Sequence, residues 1–150
     1  MDENEFRSTY HSINETRCVF EKGLNARRCE CRRARHFLLA GREGYRCTER
    51  LRQERCTRYL DALRHQARFT LGVPDPQGPL PHNKEIRAQI GGLEGVRRLL
   101  SASDGAERAF DVDALLSEAE QVFGSVEAIP FDALLPDVAA FQGRRRSGRR

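Results

Sequence analysis

Five thiols lie between residues 18 and 56 of this 150-residue chain: Cys18, Cys29, Cys31, Cys47 and Cys56. Their spacing is C-x10-C-x-C-x15-C-x8-C, and the chain has no other cysteine. Thiolates are the ligands of zinc and of iron–sulfur clusters, and about four must converge to hold either. The expected chemistry is therefore a metal centre, an iron–sulfur cluster or zinc, with all five cysteines as candidate ligands. The preferred four are Cys18, Cys29, Cys31 and Cys47. Cys56 stands in reserve, or serves as the fourth ligand in place of Cys18. The competing reading is buried reduced thiols, and Cys56 fits it best beside Tyr59, Leu60 and Leu63.

No C-x2-C is present, so common zinc-knuckle spacings and a thioredoxin-like pair are excluded. The C-x2-C-x2-C and C-x4-C-x2-C runs of ferredoxins are absent too. The irregular spacing matches no common zinc module, which tilts the expectation to a cluster. An odd thiol count leaves one over from any full disulfide set. His36 is near enough in sequence to substitute as a ligand. His65 reads as solvated on the polar side of the long helix, and His11 and His82 have no identifiable partner.

Arginines crowd the same stretch, and they fit a cationic surround that holds thiolates deprotonated. Residues 1–72 carry 16 basic against 10 acidic side chains, residues 73–142 carry 5 against 12, and the last eight add five arginines. Two readings of this division follow. The lobes complement each other, or the basic face takes an acidic or redox protein partner, or nucleic acid. No G-x-S-x-G, phosphate-loop or H-E-x-x-H motif is present, so substrate turnover is not expected. Asp111/Asp113 and Glu118/Glu120 read as a helix start and a solvated face.

The elements that must position the thiols read as mainly α. The expectation is a small helical protein with a cysteine-rich, loop-containing N-terminal half and a short-helix C-terminal half. Residues 1–72 form a basic region ending in a long helix, and 73–83 a Pro-rich linker or ordered loop. Residues 84–142 form an acidic helical region, and 143–150 a disordered basic tail. Phe6, Tyr10 and Ile13 share one face of a first helix. Residues 33–40 are read as one or two helical turns with Phe37, Leu38 and Leu39 packed inward.

The strongest helix runs from about Glu49 to about Leu71, with Thr48 as N-cap and Leu51, Cys56, Leu60, Leu63 and Phe69 on its apolar side. Gly72 and the prolines after it end this helix. Ile86, Ala88 and Ile90 alternate like a strand, with Gly91 and Gly92 as the interruption before a short helix. The alternative is one helix from Lys84 to Leu100. A helix capped by Asp111 or Asp113 reaches Phe123, and a last helical piece splits at Pro136. No apolar run approaches the ~20 residues of a membrane span, and the acidic start lacks a secretory pattern. A cytoplasmic accessory protein is the resulting expectation. The alternatives are a nucleic-acid-binding regulator with structural zinc, or a metal-free protein–protein interaction module.

Overall fold

A computed structural model describes residues 2–76 and 80–141. The basic tail 143–150 and the side chain of Ile13 lie outside the described residues. The protein is mainly helical, with one small hairpin. Helix α1 spans Glu3–Ile13 and is capped by Asp2, whose side chain accepts from the Glu5 N–H at 2.7 Å. A short α2 covers Glu21–Asn25.

Residues 33–40 are not helical. Ala34–Leu39 is strand β1, paired antiparallel with β2, Arg42–Cys47, in the register Ala34↔Cys47 to Leu39↔Arg42. The two-residue turn explains this. Ala40 and Gly41 both have positive φ, 52° and 79°, which matches the tight turn that follows strand twist. Phe37 lies over Gly44, where an added Cβ would stand 2.5 Å from the ring. Leu38, expected inside, is exposed.

Helix α3, Arg50–Gln66, is the long central element, followed by a single turn α4, Arg68–Leu71. Its N-cap is Glu49 rather than Thr48, and no side chain caps it. Tyr59, Leu60 and Leu63 are fully buried, whereas Leu51 and Phe69 are 78% and 83% exposed, against expectation. Gly72 closes the segment with φ of 68°, the left-handed conformation that glycine adopts without a Cβ penalty.

The expected strand at Ile86–Ile90 is also helical. Residues 82–104 run as α5 (His82–Ile86), one wide π turn (Arg87–Gly91) and α6 (Gly92–Asp104). The glycine pair does not interrupt the helix; it lets neighbours close in. A Cβ on Gly91 would lie 2.8 Å from the Val138 Cα, and one on Gly92 would lie 2.5 Å from Leu63. Helix α7 spans Val112–Phe123, capped by Asp111 through the Ala114 N–H at 2.9 Å. Two 3-10 turns, Val126–Ala128 and Phe131–Leu134, lead to α8, Leu135–Ala140, with Pro136 in its first turn.

One apolar core draws on both halves, from Phe20 and Tyr59 to Leu93, Leu116, Leu134 and Val138. Buried Gln89 stitches them further: it accepts from the Gly23 N–H and donates to the Val19 carbonyl, both at 2.9 Å. Among the described residues no helix is long and apolar enough to cross a membrane.

Candidate metal centre

Four of the five cysteines line one cavity. Cys18, Cys31, Cys47 and Cys56 share its wall with Arg33, Arg52, Arg55 and Asp113. Three local structures bring them there. Cys18 and Cys47 come from adjacent backbones: the Cys18 N–H donates to the Tyr45 carbonyl at 3.1 Å, and the Cys47 N–H to Thr16 at 2.7 Å. Arg17 and Arg46 form an antiparallel bridge between them. The hairpin thus folds the chain back so that Cys47, at its end, and Cys56, on α3, reach one cavity.

Cys31 is delivered by a strap. Glu30 bridges Asp111, with the Glu30 N–H donating to Phe110 at 3.1 Å and the Val112 N–H to Glu30 at 2.8 Å. Asp111 caps α7 with one oxygen and accepts the Arg32 N–H at 2.8 Å with the other. Cys29 leaves this group. It is buried but does not line the cavity, and its sulfur is 3.1 Å from where a Cβ on Gly23 would stand. A single bridged residue, not a regular strand, lies between Cys29 and Cys31, so strand alternation does not put both thiols on one face. His36 is turned elsewhere too, 2.9 Å from Glu43.

Burial raises the thiol pKa values. Cys56 is pushed up to about 11, against the opposing pull of Arg55. Cys29 rises to about 12 on burial, helped by Cys31 and Asp111. Cys18 and Cys31 also rise through burial. Backbone donors oppose the rise: the Phe20 N–H at Cys18, and the Arg33 and Asp113 N–H groups at Cys31. Sulfur that accepts N–H bonds is better suited to a thiolate than to a thiol. At two of the four sites the donor lies two residues beyond the cysteine.

The cationic surround is asymmetric. Asp113, 1% exposed, accepts from Arg32 at 2.7 Å, Arg52 at 2.8 Å and Arg55 at 3.0 Å. Burial works to raise its pKa, yet these three guanidiniums hold it down at about 2. Glu49 takes Arg33 at 2.9 Å and Arg52 at 3.4 Å. Four guanidiniums thus face the carboxylates of Asp113 and Glu49, with Asp111 beside them at the Arg32 N–H, and outnumber the three by one. Four thiolates around a dipositive core would carry two negative charges, which such a surround offsets in part. Arg55 is 4% exposed, and its Nε is buried with no acceptor; the Nε of Arg33 makes no hydrogen bond but stands 3.4 Å from the Asp113 carboxylate. Arg55 also reaches the Cys56 sulfur at 3.5 Å. Buried donors without acceptors are costly, and sulfur carrying negative charge would satisfy them.

The cavity measures about 20 Å³. Among the described residues no group of three or more His, Cys, Asp or Glu stands ready to hold a metal ion. The sulfurs therefore line the cavity without closing on one point. The sequence picked out the thiols and the arginines around them, Arg52 and Arg55 included, but missed Asp113, the carboxylate that gathers those arginines. The only signal for Asp113 was its place at a helix start. Comparison with protein-family models, with curated proteins and with solved structures returned no match.

Proposed function

We propose that Cys18, Cys31, Cys47 and Cys56 hold an iron–sulfur cluster in an accessory protein of electron transfer. The observation that carries this reading is the buried Arg55 Nε, left without an acceptor beside four thiols, together with the Arg33 Nε, which makes no hydrogen bond although it stands 3.4 Å from Asp113. Thiolates and cluster sulfides would supply those acceptors. Supporting it are the N–H groups of Phe20, Arg33 and Asp113 at sulfur, because hydrogen bonds to cluster sulfurs set reduction potential. A bound cluster would supply one-electron chemistry. The chain's own residues orient the sulfurs, donate N–H bonds to them and offset their charge.

A second reading, zinc, is favoured by cavity size. About 20 Å³ is little more than the ~10–15 Å³ that one water needs, which suits a single ion. Anaerobic purification followed by iron, sulfide and zinc analysis separates the two. Brown protein with stoichiometric iron and sulfide is the expected result. Colourless protein with stoichiometric zinc selects the second reading, and metal-free folded protein refutes both. Serine at position 18, 31, 47 or 56 should abolish or sharply reduce metal content, whereas Cys29→Ser should keep it. Loss of metal on Cys29→Ser with retention on Cys56→Ser would overturn the ligand set.

A further inference from the structure

The hairpin has a second face, and it carries a row of guanidiniums. Residues directly opposite in an antiparallel pair share a face. Arg35 is opposite Arg46, and Arg46 is bridged to Arg17. The three arginines therefore stand side by side across three neighbouring backbones, spaced about 4.8 Å apart. Arg35 and Arg46 are exposed. Arg17 pairs with Glu21 at 3.0 Å and is 41% exposed. Neither Arg35 nor Arg46 has an ion-pair partner among the described residues. Helix α1 covers the far end of this face, where Tyr10 meets Phe37 and Phe6 lies under Arg42, and the row is beyond it.

Like charges directly opposite on a sheet destabilise it, so this arrangement works against the isolated fold. It also sits in a particular place. Successive residues of a strand point to opposite faces. Cys18 follows Arg17 and Cys47 follows Arg46, so two thiols of the candidate centre back directly onto the row. The sheet between them is one layer, and packed layers stand on the order of 10 Å apart. A cofactor docked on the arginines would therefore lie close to the centre, with two of its ligands covalently adjacent to the docking residues.

We propose that the row Arg17–Arg46–Arg35 docks an acidic electron-carrier protein that exchanges single electrons with the centre through the hairpin. The proposal rests on the iron–sulfur reading above. One electron leaves the partner's cofactor and enters the centre, or the reverse, with no bond made or broken. Carboxylates on the partner supply the charge that Arg35 and Arg46 lack, and their attraction speeds encounter while weakening with salt.

The test uses the full chain carrying its cluster, with reduced flavodoxin, an acidic one-electron flavoprotein, as the probe. Photoreduced deazaflavin serves as a small reductant that needs no docking surface. Bleaching of the cluster by flavodoxin should slow steeply as ionic strength rises. In Arg35→Glu/Arg46→Glu it should slow at least about tenfold, while bleaching by deazaflavin stays unchanged. The double variant exchanges one opposed like-charge pair for another while putting a carboxylate beside Arg17, so its melting temperature should change little, which separates lost docking from lost folding. A rate that ignores salt, or a double variant as fast as wild type, overturns the proposal. So does tight binding of a single-stranded oligonucleotide that the variant loses while its flavodoxin rate holds, which would make the row a nucleic-acid surface. Protein without bleachable iron–sulfur absorption refutes the underlying reading before the docking step is reached.

Discussion

Asp113 holds together a set of cations that would otherwise repel. Its carboxylate accepts from Arg32, Arg52 and Arg55, and Arg33 stands 3.4 Å away. Its pKa of about 2 lies below the ordinary 3.8. A depressed carboxylate stabilises the fold above its ordinary pKa and loses that contribution as pH falls through its folded value. A difference of this size corresponds to roughly 2 kcal/mol, present above about pH 4 and lost toward about pH 2. Asp113→Asn leaves Arg55 buried without a counter-charge and should cost roughly 3–5 kcal/mol at neutral pH. Urea unfolding measures this, and the gap between wild type and variant should shrink at about pH 2. A gap that stays constant across that range would show that charge is not the cause. The thiols were legible as a group because they cluster in sequence. Their division into four and one was not, because Cys29 and Cys31 diverge at a backbone irregularity that spacing does not encode. Asp113 was invisible because its partners lie 58 to 81 residues away along the chain.

At the scale of elements, Gly92 shows how closely the helices approach. Substitution by Ala would put a methyl 2.5 Å from the Leu63 Cδ2 and 2.9 Å from the Tyr59 hydroxyl. Although Ala favours a helix by about 1 kcal/mol over Gly, overpacking here should win and destabilise the protein by about 1–3 kcal/mol. A thermal melt decides it, and a raised melting temperature would mean that α3 and α6 have room to part. The same glycines explain a misreading. A Gly-Gly pair signals a break in isolation, whereas here it serves contact with α3 and α8. The hairpin was missed for a related reason: Ala40 takes the left-handed position where Asn or Asp is the usual signal. Helix α7 was legible at both ends, since Asp111 caps it and Gly124 follows it. The end of α4 at Gly72 was legible for the same kind of local reason.

Across the whole molecule, the charge division resolves into pairing between halves. Arg58 meets Glu127 at 2.9 Å, Arg64 meets Glu85 at 2.7 Å, and Asp113 gathers the arginines of the thiol stretch. Arg64 and Glu85 are both buried, and Glu85 also accepts from the Leu80 N–H at 3.1 Å and the Gln89 amide at 2.8 Å. The acidic region thus neutralises much of the basic one. Among the described residues Arg35 and Arg46, on the hairpin's outer face, are among the cations that no carboxylate pairs, which leaves that face open to an acidic surface. Charge counts by region forecast this complementarity, but they could not say which arginines would be left over.

The strap that presents Cys31 is bonded to the first turn of α7 through Glu30, Arg32 and Asp111. An ion drawn into the thiol ring would therefore tighten a helix that contributes no ligand. On the proposed reading, protein stripped of iron should let deuterium into the opening amides of α7 faster than loaded protein, with α6 little changed. Equal exchange in both forms would mean that the mooring is slack and that the centre's occupancy stays a private matter of the first half.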